Sequence, residues 1–322
     1  MRDVHFGELH TSALGFGCAS VMGRIGRRAS LHTMHAAWEG GVRLFDIARS
    51  YGYGEAEDLL GEFLQGRRAD ATIITKFGIH PHPQPTWRRA AKPAVRALLQ
   101  FAPKARPLLR RRLADESTAR RFDVQTLHAS LEASLRALRT DYVDILLAHD
   151  APATLGSQED LVDALETIIR QGKARHIGIS CTHEIATKIA AQQRSPFTVV
   201  QFPAELLQIN TPFSSPASNM LYIAARPFGA PGQAEAAKRV LQKLRHAAQT
   251  PAELREKLDG NTDTLFAELA FANIWWNTPA QIIVASMLHA HHLHANISAI
   301  HQTRCTPHEA QWLRDELVRG IV

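Results

Sequence analysis

ATIITK at residues 71–76 and YVDILLA at residues 142–148 decide the architecture. Both are short apolar runs, and neither alternates with polar residues. A continuous run of this kind is a strand buried on both faces, the condition of a parallel sheet covered by helices. Similar runs occur at Ser12 to Gly17 (SALGFG), Arg43 to Asp46, His176 to Ser180 (HIGIS), Thr198 to Gln201 (TVVQ), Leu221 to Arg226 (LYIAAR) and Ile297 to Ile300 (ISAI). Eight strands, most separated by a helical pattern, predict an α/β fold, a (β/α)8 TIM barrel.

Local signals fill in the connections. Ser30 reads as the cap of a helix with the stripe Leu31, Met34, Ala37 and Trp38, closed by Gly40 and Gly41; EAEDLLGEFLQ at 55–65 reads as the next helix. Val4 to Thr11, with Gly7 at its turn, predicts an N-terminal hairpin against the barrel floor. At 322 residues the chain has the length of one such barrel, so a single domain over 1–322 is expected. Two segments exceed ordinary loops. Residues 79–123, after the third strand, hold helical stretches at Arg88 to Phe101 and Pro107 to Ala114. Residues 229–276, after the seventh, hold Ala234 to Ala248 and Pro251 to Lys257. Both follow a strand, on the face where barrels build their sites, and read as walls or lids.

Composition narrows the function classes. A hydrophobic share of 45% with 21% charged residues and mean hydropathy of −0.18 describes a globular chain with ample core. No apolar run reaches the ~18 residues of a membrane span, and MRDVHFGELH lacks the pattern of an export signal, so a cytoplasmic protein is expected. Cys18, Cys181 and Cys305 are an odd number without short spacing, which argues against a disulfide frame or zinc knuckle. The net charge of +6 is local: eleven Lys or Arg lie between His80 and Arg121 against Asp115 and Glu116, a net of +9, so the rest is slightly acidic. That pattern is a neutral body with one basic insertion rather than a nucleic-acid-binding domain.

Four residues, at strand ends or the turn after one, carry proton-transfer chemistry: Asp46, Tyr51, Lys76 and His149. A phenol ionises near pH 10, so a Tyr acid is expected to have its pKa lowered by a neighbouring ammonium. Lys76 is the candidate ammonium, with Asp46 to hold it charged and His149 to hydrogen-bond the substrate oxygen as well as the phenol. Such a set suits protonation of a carbonyl oxygen.

The same residues resemble the aldo-keto reductase family. FDIARSYGYGEAE resembles its Asp-Thr-Ala-x-x-Tyr-Gly signature, with Ile47 in place of Thr; TKFG and LRTDYVDILLAH resemble the strands ending in its active-site Lys and His; QGKARHIGIS and VVQ resemble its fifth and sixth strands. The resemblance implies hydride transfer from a reduced nicotinamide, NADPH rather than NADH, to an aldehyde or ketone, or the reverse oxidation, with Tyr51 as the acid. It implies cofactor contacts from Gly17, Cys18, Asp46, Ser180, Cys181, Gln201, Arg226, Pro227, Phe228, Gly229, Thr303 and Arg304, with no metal. Arg304 is the candidate for the 2′-phosphate, with Thr303 beside it. The expected partners are a small carbonyl or alcohol substrate, anionic or neutral, with no nucleic acid and no membrane span, in a monomer or homo-oligomer.

The chain also departs from the pattern. Cys181 replaces the family's Asn, His301-Gln302 stands where a Gly-containing pair is expected after the last strand, and Arg226 stands where an aromatic often stacks. These departures motivate an alternative, a cofactor-binding regulatory or scaffold subunit with little turnover. Another barrel enzyme, such as a hydrolase using Asp46 and His149 on a metal, is disfavoured because no metal-ligand cluster falls at strand ends. Structural readings stand beside the functional ones: an Asp46–Lys76 ion pair at a barrel mouth, polar capping by Ser180 and Gln201, and Cys181 as a small buried hydrophobe rather than a reactive thiol. His289, His291, His292 and His294, between a long helix read as capped by Thr278 with Pro279 at its first position and the final strand, read as a solvated turn at the barrel floor rather than a metal site, and Gly15, Gly17 and Gly23 as turn residues rather than a dinucleotide fingerprint. The basic insertion reads as a solvated flap, as an electropositive lip for an anionic substrate or the cofactor phosphates, or as an interface for an acidic partner or membrane surface.

Overall fold

The computed structural model describes residues 1–80, 120–182, 184–185, 188, 196–207, 217, 219–230, 232–287, 289–301 and 304–321. The chain opens with a hairpin, β1 (Asp3–Phe6) and β2 (Leu9–Ser12), paired antiparallel around Gly7. Phe6 packs on His176 at 5.2 Å between ring centroids, near the start of a barrel strand, so the hairpin covers the floor.

Eight parallel strands close the barrel. They are β3 (Leu14–Gly17), β4 (Leu44–Asp46), β5 (Thr72–Phe77), β6 (Val143–His149), β7 (Ala174–Ser180), β8 (Phe197–Pro203), β9 (Leu221–Ala225) and β10 (Ile282–Ala285), with β10 joining β9 to β3. Described helices are α1 (Arg27–Glu39), α2 (Ala56–Phe63), α3 (Val124–Leu138), α4 (Glu159–Arg170), α5 (Gln233–Leu244), α6 (Ala252–Leu258), α7 (Thr262–Asn277), α8 (Ala290–His301) and α9 (Pro307–Ile321). Each strand's apolar run meets the barrel interior on one face and helices on the other; β5 is buried along its whole length. The helices supply the matching stripe, as in α4, where Leu161, Val162, Leu165 and Ile168 are buried.

Four expectations are corrected. The eighth strand is β10, while Ile297 to Ile300 belongs to α8, whose buried Leu293, Asn296, Ala299 and Ile300 follow helical spacing. Thr278 caps the end of α7 and not the start of a helix: its N–H and hydroxyl both donate to the Ile274 carbonyl, at 2.9 and 2.8 Å. Ser30 lies inside α1 rather than at its cap. Residues 229–276 are mainly a crossover built of α5, α6 and α7, not a lid; Leu265 through Ile274 are buried without exception.

The expected helices of the basic insertion lie outside the described residues. Its neck is described: Ile79 bridges antiparallel to Arg120, and the Arg121 N–H donates to the Gly78 carbonyl at 2.9 Å. The insertion therefore leaves and rejoins the barrel beside the C-terminal end of β5.

Candidate active site

Strand register brings the four candidates to one end of the barrel. Asp46 ends β4 opposite Gly17 and Ile74, Lys76 on β5 faces Leu147, and His149 ends β6 opposite Ser180, which in turn pairs with Gln201. Tyr51 opens a 3-10 turn after β4. Its turn is fixed at Gly52, where φ is +58° and a Cβ would stand 2.7 Å from the Val21 carbonyl oxygen, so only glycine fits.

Lys76 is the hub. It is 2% exposed, and its Nζ donates to Asp46 Oδ1 at 2.5 Å, to the Ile47 carbonyl at 3.1 Å and to Tyr51 Oη at 3.3 Å. All three ammonium hydrogens are thus committed. Because Tyr51 Oη accepts from Lys76, its own proton points elsewhere, free to be given to a substrate oxygen. The imidazole of His149 meets the Tyr51 ring edge-on at 6.0 Å between centroids.

The electrostatics correct one expectation. Tyr51 is raised, not lowered: burial of the phenol is the largest influence, Lys76 pulls the other way, and Asp46 adds to the rise. Tyr51 is therefore a protonated phenol at neutral pH, the form a proton donor needs. Burial works against charge on Lys76 too, yet Asp46 and Tyr51 outweigh it and leave its pKa above the ordinary value. His149 falls to about 3, through burial first and then the positive charges of Lys76 and Arg120. A neutral imidazole beside the phenol can donate one hydrogen bond and accept another.

On the neighbouring strands, Ser180 Oγ donates to Gln201 Oε1 at 2.9 Å. Gln201 is 3% exposed, and its Nε2 has no hydrogen-bond partner among the described residues. A buried amide donor left unpaired costs roughly 1–3 kcal/mol, and the pair has a donor to offer a group with a carbonyl oxygen. Cys181 is 6% exposed and burial pushes its thiol up to about 12; Cys18 is also buried and raised, by burial first and then by the charge of Asp46. Both are protonated small hydrophobes rather than reactive thiols.

The remaining cofactor candidates part company. Arg226 follows β9 with φ of +58° and pairs with the buried carboxylate of Glu205 at 2.8 Å. The Pro227 carbonyl accepts from Leu206 N–H, and Gly229, at φ +72°, donates to the Arg226 carbonyl. Phe228 is turned into the helix layer against Phe266 and Phe271, at 5.7 and 5.9 Å. Thr303 lies outside the described residues. Arg304 follows a helix and not the last strand, and its Nε is held by both oxygens of Glu268, at 3.1 and 2.9 Å. The ground for assigning it the 2′-phosphate, its place after the last strand, is thereby lost. His301-Gln302 loses its significance for the same reason: Ser286 and Met287 are the residues that follow β10.

The histidine cluster is also displaced from its expected place. It follows the C-terminal end of β10, on the catalytic side rather than the floor, with His289, His291 and His292 rings 4.1 to 5.5 Å apart. Among the described residues no group of three or more His, Cys, Asp or Glu is placed to hold a metal ion. Gly15 lies within β3 rather than in a turn; a Cβ there would meet Leu44 Cδ2 at 2.6 Å. Four buried carboxylates went unread in the sequence, Glu57, Asp144, Glu205 and Glu268. Glu57 sits inside the quoted Tyr signature, so its spacing was the available signal.

The Aldo/keto reductase family model matches residues 13–314, and the chain belongs to that family. It is 25% identical over 186 residues to the aryl-alcohol dehydrogenase [NADP(+)] of Phanerodontia chrysosporium, a match covering 54% of this chain and 42% of that protein. The chain spans about half the length of the curated relatives it matches. Among solved structures, glycerol dehydrogenase AKR11B4 from Gluconobacter oxydans superposes with a TM-score of 0.68 at 16% identity, covering 99% of this chain and 96% of that one. An aldo/keto reductase from Klebsiella pneumoniae, solved with NADP and acetate, gives 0.62 at 18% identity, covering 98% and 95%. Among the described residues no helix is long and apolar enough to cross a membrane.

Proposed function

We propose that the protein is an NADPH-dependent carbonyl reductase that turns an aldehyde or ketone into an alcohol, with Tyr51 as the general acid. The observation that carries this reading is the Lys76 ammonium, which donates to Asp46, Ile47 and Tyr51 at once and so frees the phenolic proton for a substrate. Asp46 holds the ammonium, Lys76 favours the phenolate left behind, and neutral His149 orients the substrate oxygen. A protonated Tyr51 suits reduction better than the reverse reaction, which would need the phenolate first.

The residues fit a nicotinamide. The unpaired Nε2 of Gln201 supplies a donor for a carboxamide oxygen, and Ser180 Oγ keeps lone pairs for its NH2 group. When bound, reduced nicotinamide supplies a hydride from C4. Preference for NADP is supported by the name of the aryl-alcohol dehydrogenase relative. The basic segment leaves and rejoins beside β5, which supports an anionic carbonyl substrate drawn by its charge; added salt should then reduce kcat/KM for anionic aldehydes more than for neutral ones.

The test is stopped-flow oxidation of bound NADPH by a reactive aldehyde in the parent and in Tyr51→Phe. The expected result is a fast step in the parent, ~10² to 10⁴-fold slower in the variant, with NADPH affinity unchanged. Equal rates remove Tyr51 from the mechanism. A parent that binds NADPH without oxidising it favours the regulatory-subunit alternative.

A further inference from the structure

We propose that Glu57 is a positioning residue for the proton-transfer pair, an inference that rests on the carbonyl-reductase reading. Glu57 lies in the first turn of α2 and is 1% exposed. Its two oxygens divide their work. Oε2 accepts from Arg49 Nη1 at 2.6 Å and Oε1 from Thr75 Oγ1 at 2.7 Å. Arg49 is two residues before Tyr51, and Thr75 immediately precedes Lys76. Successive residues of a strand point to opposite faces, so while Lys76 projects into the barrel mouth, Thr75 reaches outward to α2. One carboxylate thereby fastens, from behind, both the strand that carries the ammonium and the loop that carries the phenol.

The rest of that loop is held lightly by comparison. Ile47 bonds to Ile74 through its N–H and to Lys76 through its carbonyl, and the Tyr51 N–H donates to the Ala48 carbonyl at 3.0 Å. Between Ile47 and Tyr51, Arg49 supplies the charged side-chain anchor, and charge-assisted bonds to a guanidinium fork are directional as well as strong. Packing alone does not explain a carboxylate here, because Ala56, Leu59 and Leu60 around it are apolar and buried and desolvating a charge is unfavourable. Nor does the helix N-terminus require it: Asp58, exposed in the same turn, meets that need. What Glu57 adds is one carboxylate bonded to both the Tyr51 loop and the Lys76 strand, which supports the distance between Lys76 Nζ and Tyr51 Oη from behind.

Misplacement of a catalytic group by about 1 Å can cost roughly 10²-fold in rate. In Glu57→Gln, which keeps an acceptor for Thr75 but removes the charge holding Arg49, kcat should fall about ten- to a hundredfold with NADPH affinity unchanged. Arg49→Met should give the same loss, the double variant no further loss, and Arg49→Lys a partial rescue. A second readout does not depend on turnover: amide hydrogen exchange of residues 47–55 should quicken in Glu57→Gln and Arg49→Met while the barrel strands keep parental protection. If the parent fails to oxidise NADPH with any aldehyde, the carbonyl-reductase reading fails, and the exchange measurement still decides whether Glu57 orders the loop. Additive kinetic losses, a loss in NADPH affinity instead of kcat, or unchanged exchange over 47–55 in both folded variants would each overturn the proposal. Should Glu57→Gln fail to fold, Arg49→Met at the better exposed end of the pair carries the same comparison.

Discussion

Replacing Lys76 by Met removes the positive charge 3.3 Å from Tyr51 Oη while keeping a chain of similar length. With an effective dielectric constant of about 20, a unit charge at that distance stabilises a full phenolate by about 5 kcal/mol. If half a charge has developed at the transition state, the loss is about 2.5 kcal/mol, and each ~1.4 kcal/mol is tenfold in rate. A fall of roughly 50- to 100-fold in the single-turnover rate is therefore expected. The substitution also strands the Asp46 carboxylate, which is buried against the same ammonium; breaking a buried pair this way costs about 3–5 kcal/mol of stability. Thermal unfolding must therefore be followed alongside the rate, and Lys76→Met combined with Asp46→Asn separates the two effects because no carboxylate is left behind. The double variant should regain stability and remain as slow as the single one. A folded Lys76→Met protein that oxidises NADPH within tenfold of the parent, with the parent's pH profile, would refute the role given to the ammonium.

Other sites give sharper alternatives. Gln201→Leu removes the unpaired Nε2 donor and should weaken cofactor binding about fivefold, since a hydrogen bond contributes about 1 kcal/mol; calorimetric titration with NADPH reads it, and unchanged affinity would show that Nε2 meets no cofactor. Arg304→Ala strands the buried Glu268 carboxylate and should lower stability by about 3 kcal/mol, the low end for a buried pair because Arg304 is itself one-third exposed, while changing NADPH and NADH affinity equally; a loss confined to NADPH would restore Arg304 to the phosphate. His149 is depressed in the fold, so below its unfolded pKa of about 6.5 the unfolded chain binds the extra proton. Its contribution is present above that value and lost as pH falls toward about 3. The unfolding temperature of the parent should therefore drop more steeply than that of His149→Gln between pH 6.5 and 4, and parallel curves would mean that His149 is not buried neutral.

What was legible in the sequence, and what was not, follows from which forces act locally. Strands such as ATIITK announced themselves because burial on both faces leaves an unbroken apolar run, and the order of Asp46, Tyr51, Lys76 and His149 along them was enough to place all four at one end of a barrel. IIVA at 282–285 escaped because a run of four apolar residues after Pro279 has no period of its own. α7 escaped for the opposite reason: burial of every residue from Leu265 to Ile274 removes the polar stripe by which a helix is known. Losing β10 then moved every inference hung on the last strand, the phosphate role of Arg304 and the floor position of the histidines together. The raised pKa of Tyr51 was out of reach for a different reason. The sign of that shift is a contest between burial and one ammonium, and a sequence shows which charge is available without showing how much water has been removed around it. The same limit hid Glu57: a carboxylate in a helix reads as a solvated face until its partners, Arg49 and Thr75, are seen to surround it. Chemistry carried by residue type is visible in a chain, whereas chemistry carried by desolvation becomes visible only once the fold has closed over it.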